Sequence, residues 1–64
     1  MSEVGLKNAW VILEWAGDVP TEVGRAATWI VASDDAKAKK LANGHRYSVD
    51  DAEAWDIAKR HGVL

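Results

Sequence analysis

Asp50 and Asp51, with His45 before them and His61 after, are the residues whose types best suit acid–base or metal chemistry. A carboxylate beside an imidazole can move a proton near neutral pH. Neither histidine has a second ligand at the spacing a metal site uses, and the chain contains no cysteine, which excludes thiolate sites and disulfides alike. The two aspartates open a helix by sequence pattern, and the helix dipole favours acids there without any catalytic role. Glycine-rich phosphate loops and nucleophile constellations are absent. A chain of 64 residues also has scarcely enough surface to enclose a pocket of roughly several hundred Å³. The expectation is a protein that is not an enzyme and holds no cofactor or metal.

A second chemistry is phosphate binding. Lys37, Lys39 and Lys40, with Arg46 following, form a basic cluster that could meet nucleic acid. A helix, a short connection and a second helix also suit a helix-turn-helix. The second helix would then enter the groove carrying Asp50, Asp51, Glu53 and Asp56, which repel phosphates. The formal net charge is -2, against the basic balance of a nucleic-acid binder. Nucleic-acid mimicry fares no better, because residues 34–60 mix acids with Lys37, Lys39, Lys40, Arg46, Lys59 and Arg60. The basic cluster stands as the alternative to a protein-binding reading.

That reading rests on the tryptophans. Trp10, Trp15, Trp29 and Trp55 stand in a chain with no Phe and one Tyr. Each indole can bury roughly 150–250 Å², and tryptophans are frequent interface anchors. In the first apolar run, Val11, Leu13 and Trp15 alternate with Trp10, Ile12 and Glu14, so both faces of a strand would be apolar. A hairpin covered on one side should have one polar face. Either helices, the lead-in and Val63-Leu64 wrap around to cover both faces, or one face meets a partner. The expected contact surface is Trp10, Ile12, Trp15 and Trp29, with Trp55 as core anchor or interface and Glu14, Arg25 and Asp56 as a polar rim. The partner is a second copy or another protein; a homodimer would also satisfy the free strand edges.

The elements that must position these residues follow from local signals. Residues 1–8 read as a mobile lead-in and 9–15 as a strand. Gly17-Asp18-Val19-Pro20 is a turn, followed by a second strand best expressed over residues 26–31. A helix from Thr21 to Ala32 is the alternative, but Gly24 and the β-branched run from Thr28 tip the reading to strand. Ser33 then caps a helix that ends at Asn43-Gly44, with Ala38, Leu41 and Ala42 on its inward face. His45-Arg46-Tyr47 connects, with Tyr47 stapled against Ala52. Ser48 caps a second helix, whose wide apolar stripe of Ala52, Ala54, Trp55, Ile57 and Ala58 suggests more than one neighbour. The predicted fold is a small α+β domain over residues 1–64, an antiparallel hairpin followed by two helices (β-β-α-α) packed mainly on one face.

From Trp10 to Asn43 the order is a strand ending Glu-Trp, then Gly-Asp-Val-Pro-Thr-Glu-Val, a second strand, and Ser-Asp-Asp-Ala-Lys-Ala opening a helix. This pattern resembles small accessory proteins encoded by phages of actinobacteria. The resemblance covers about half the chain and carries no catalytic motif. It implies a non-enzymatic phage protein that modulates a host protein by binding it. The opening residues lack the basic and apolar regions of a secretory signal, and the longest apolar run, Ala9–Leu13, is far short of the roughly 20 residues that span a bilayer. The expectation is a cytoplasmic chain without membrane contact.

Overall fold

Val11, Ile12 and Leu13 are consecutive and all fully buried, and that fact dictates the architecture. Neighbouring side chains on a strand point to opposite faces, so three in a row can be buried only if both faces of the sheet are covered. The computed structural model describes residues 9–62 and covers them in this way. The chain order is β1 (Trp10–Ala16), β2 (Val19–Ala26), α1 (Trp29–Asn43), β3 (Arg46–Asp51) and α2 (Ala52–Arg60). β1 is the central strand of a three-stranded antiparallel sheet in the order β2-β1-β3. Because β2 and β3 both run antiparallel to β1, they are parallel to each other, and α1 carries the chain across β1 between them.

The two helices lie on opposite faces. Ile12 and Ala26 pack with Ala32 and Ala36 of α1, flanked by Trp10, Val23, Tyr47 and Val49. Val11 and Leu13 pack with Ala52 and Trp55 of α2, flanked by Trp15. The small α+β domain is as expected, but its order is β-β-α-β-α and its helices do not share a face. The lead-in assigned to residues 1–8, and the wrapping assigned to Val63-Leu64, lie outside the described residues.

A β-bulge shapes β2. Ile12 pairs with Gly24 while Leu13 pairs with Glu22, leaving Val23 as the extra residue. In an unbroken strand residues 22 and 25 would face opposite ways; the bulge brings both to the α2 face. Gly24 lies under α1, where an added Cβ would sit 3.3 Å from Ile12 Cδ1 and 3.4 Å from Asp35 Oδ2. Gly24, Ala26, Ala32 and Ala36 together let the α1 backbone approach the sheet closely.

Element boundaries depart from sequence expectation in three places. The second strand is Val19–Ala26 rather than 26–31, since a poor β former with Pro20 and Gly24 is tolerated at a sheet edge. Thr28, not Ser33, caps α1: its Oγ1 accepts from the Val31 N–H at 3.2 Å, and the Trp-Ile-Val run becomes the first helical turn. Gly44, at φ 78°, ends α1 and donates to the Lys40 carbonyl at 2.7 Å. Asp51, not Ser48, caps α2 by accepting from the Ala54 N–H at 3.1 Å. Ser48 instead belongs to β3, which runs from the expected connector, Arg46-Tyr47, through the expected cap and first turn of the second helix to Asp51.

Candidate interaction surface

α1 is packed inside out. Its buried residues are the small Ala32 and Ala36, while Trp29, Ile30, Val31 and Leu41 are exposed at 54%, 68%, 57% and 84%. At 100° per residue, Ile30, Asp34, Lys37 and Leu41 fall within an arc of about 60° on the side of the helix away from the alanines. Val31, Ala38 and Ala42 flank this stripe on one side and are exposed as well. Leu41, Ala38 and Ala42 therefore form no inward face, contrary to expectation. The close approach to Gly24 leaves the buried positions of the helix to alanines, with the Asp35–Lys39 pair beside the glycine and the larger apolar side chains on the outside.

The expected contact residues do not converge. Ile12 is fully buried under α1, with Trp10 packed beside it, so Ile12 has no surface to offer. Trp55 is buried under α2 on the other face; its Nε1 donates to Glu22 Oε1 at 3.0 Å. Trp15, half-buried on that same face, donates to Ser48 Oγ at 2.8 Å, and the Arg46 guanidinium lies 5.0 Å from its ring centroid. Trp29, at the start of α1, is the most exposed indole. Of the expected rim, Glu14 accepts from the Tyr47 hydroxyl on the α1 face, which draws Tyr47 away from Ala52. Burial is the largest cause holding that phenol above its ordinary range, followed by the bond to Glu14.

Arg25 and Asp56 belong to a network rather than a rim. Arg25 donates to both oxygens of Glu22, at 2.7 and 3.0 Å, and to both of Asp56, at 3.2 and 2.7 Å. Bidentate pairing of this kind is strong and directional. The Arg25 hydrogen bond holds Glu22 below the usual carboxylate range and does the same for Asp56. Its two partners, Glu22 first, raise the Arg25 guanidinium further still. Lys59 adds a cation 5.5 Å from the Trp55 ring centroid. The network fastens α2 to β2.

The basic cluster is divided by the sheet. Lys37, Lys39 and Lys40 lie on α1, and Lys39 is paired with Asp35 at 2.7 Å. Arg46 pairs across from Trp15 and stacks on it on the α2 face. The four cations do not form one surface for a phosphate backbone.

Acid–base and metal geometry is likewise dispersed. His45 precedes Asp50 by five residues of mostly extended chain, roughly 16 Å, and His61 lies beyond α2, roughly 15 Å of helix from Asp51. Among the described residues no three His, Asp or Glu side chains converge to hold a metal ion. A groove of about 270 Å³ runs along α2, lined by Leu13, Trp15, Pro20, Trp55, Ala54 and Ala58 with Asp50 and Asp51 beside them. It lies just below the range of roughly 300–1,000 Å³ usual for small-molecule sites, and apart from Trp15, Asp50 and Asp51 its lining side chains are wholly apolar or, in Trp55, already committed to Glu22. Among the described residues no helix is long and apolar enough to cross a membrane.

The sequence signal for the α1 surface was present in the 4-3-4 spacing of Ile30, Asp34, Lys37 and Leu41. The strand-like composition of Thr28-Trp29-Ile30-Val31 masks it. No family model matches the chain, and no curated protein or solved structure is significantly similar to it.

Proposed function

We propose that the chain is a non-enzymatic protein-binding module that docks through the outward face of α1. The observation that carries this reading is the inverted packing of that helix, with alanines against the sheet and Ile30, Val31 and Leu41 turned to solvent. Scattered exposed apolar residues need no explanation, but Ile30, Val31 and Leu41 share the outward side of one helix with Asp34 and Lys37 set between them, a concentration of large apolar side chains characteristic of an interaction surface. Trp29, exposed at the helix N-terminus, lies to the other side of the stripe from Val31, and tryptophan is among the commonest anchors at interfaces. Among the described residues these side chains lie outside both packed clusters, and a partner would account for their exposure. Binding by surface occlusion needs no reacting group, which suits a site without convergent polar chemistry.

A photo-crosslinking amino acid placed at Leu41, in cells producing the chain, tests this. The expected result is a discrete protein adduct from position 41 that is absent when the same probe replaces Glu53, an exposed residue of α2. No adduct at position 41, or the same adducts at both positions, would remove the reading. An adduct abolished by nuclease would replace it with a nucleic-acid role.

A further inference from the structure

Resting on the reading of α1 as a docking face, we infer that its partner is a second copy of the same helix, paired antiparallel about a two-fold axis. The argument is the symmetry of the stripe. An axis passing between positions 35 and 36 sets Ile30 against Leu41 of the second copy, and by the same operation sets Asp34 against Lys37. Both ends of the seam become apolar contacts, and both central positions become opposite-charge pairs. Val31, on the flank, falls between Ala38 and Ala42 of the second copy, two small residues that leave room for it. A 4-3-4 spacing is the repeat by which helices interlock along a common seam.

Charge sets the direction. A parallel pairing in register would oppose Asp34 to Asp34 and Lys37 to Lys37, which is repulsive. The antiparallel pairing satisfies all four charges. Among the described residues neither Asp34 nor Lys37 takes part in an ion pair within the chain, whereas their neighbours Asp35 and Lys39 do. The two charges on the seam are thus available to a second copy, and the off-seam pair is already used. Polar residues at seam positions are known to fix register and orientation at some cost in stability.

Two helices of 15 residues meet over about 22 Å, which places the contact at the small end of specific interfaces, below roughly 1,200 Å². A reversible dimer is expected, so mass must be followed over a wide concentration range. Sedimentation equilibrium from about 1 μM to about 1 mM should carry the wild type from the 7.0 kDa of one chain towards twice that mass. Asp34→Lys places two lysines on the seam and Lys37→Asp places two aspartates there. Each variant alone should associate at least about a hundredfold more weakly, because like charges then face each other. Mixed in equal amounts, the two should dimerise, since every lysine now meets an aspartate of the other chain. No effect confined to one helix can produce that rescue on mixing. Leu41→Ser, at the most exposed apolar position, should also weaken the wild-type dimer.

A wild type that stays at 7.0 kDa throughout overturns the proposal, as does a dimer indifferent to all three substitutions or a mixture that fails to associate. The two readings separate cleanly. A monomer that still yields a discrete adduct from position 41 with another protein retains the docking face and loses the second copy. A monomer without such an adduct loses both.

Discussion

At the scale of single residues, Glu22 ties together three other side chains. It accepts from Arg25 twice and from the Trp55 indole, and lies 4.0 Å from the Lys59 ammonium. Its folded pKa is depressed, first by the Arg25 hydrogen bond. A carboxylate depressed on folding contributes stability that is complete above its ordinary value of 4.5 and is lost as pH falls through the lower folded value. Asp56, depressed by the same guanidinium, acts in the same direction. Urea unfolding followed from about pH 6 to about pH 3 should therefore show falling stability in the wild type. Glu22→Gln should be less stable than wild type at the upper end and show a shallower fall. Equal slopes would mean that the pair with Arg25 contributes nothing across this range.

At the scale of elements, α2 is a nine-residue helix, too short to persist alone. It is held by its Asp51 cap, by the Arg25–Asp56 pair and by Trp55. The indole provides most of its apolar anchorage and also closes the α2-side core over Val11 and Leu13. Trp55→Ala should cost about 3–5 kcal/mol. Stabilities near 0.05–0.15 kcal/mol per residue give a chain of 64 residues about 3–10 kcal/mol in total. The variant should consequently sit close to its unfolding midpoint in buffer, with α2 detached and the Val11–Leu13 face open to solvent. Thermal denaturation followed by circular dichroism checks this, and an unfolding transition as high and as cooperative as the wild type's would show that α2 is held by something other than its tryptophan.

At the scale of the whole molecule, three layers are built from very few residues: one helix, a three-stranded sheet, and a second helix. Two small cores, one on each face of β1, replace the larger core that a sheet covered on one side would have. Neither core includes the outward stripe of α1, so whatever binds there adds stability rather than substituting for the fold. If that partner is a second copy, association stabilises the folded chain by mass action. The thermal midpoint should then rise with protein concentration in the wild type and stay constant for Lys37→Asp. A midpoint independent of concentration in both chains would place the dimer outside the folding equilibrium.

Several features were legible from the sequence because they depend on neighbours along the chain. The first strand, the α+β class and the helical character of residues 33–43 and 52–60 follow from local pattern. So does the observation that both faces of the first strand are apolar, which is the trace of a sheet covered on two sides. Long-range pairing decided the rest. Arg46–Asp51 is a strand because β1 offers it a free edge, and Val19–Ala26 is one despite Pro20, Gly24 and weak propensity. Thr28-Trp29-Ile30-Val31 has the composition of a strand and became a cap and a helical turn once β2 ended at Ala26. The partition of four tryptophans into core and surface was likewise undetermined by type or spacing. Identical side chains become an anchor under α2 or an exposed indole on α1 according to which helix crosses which face, and only the assembled tertiary structure fixes that.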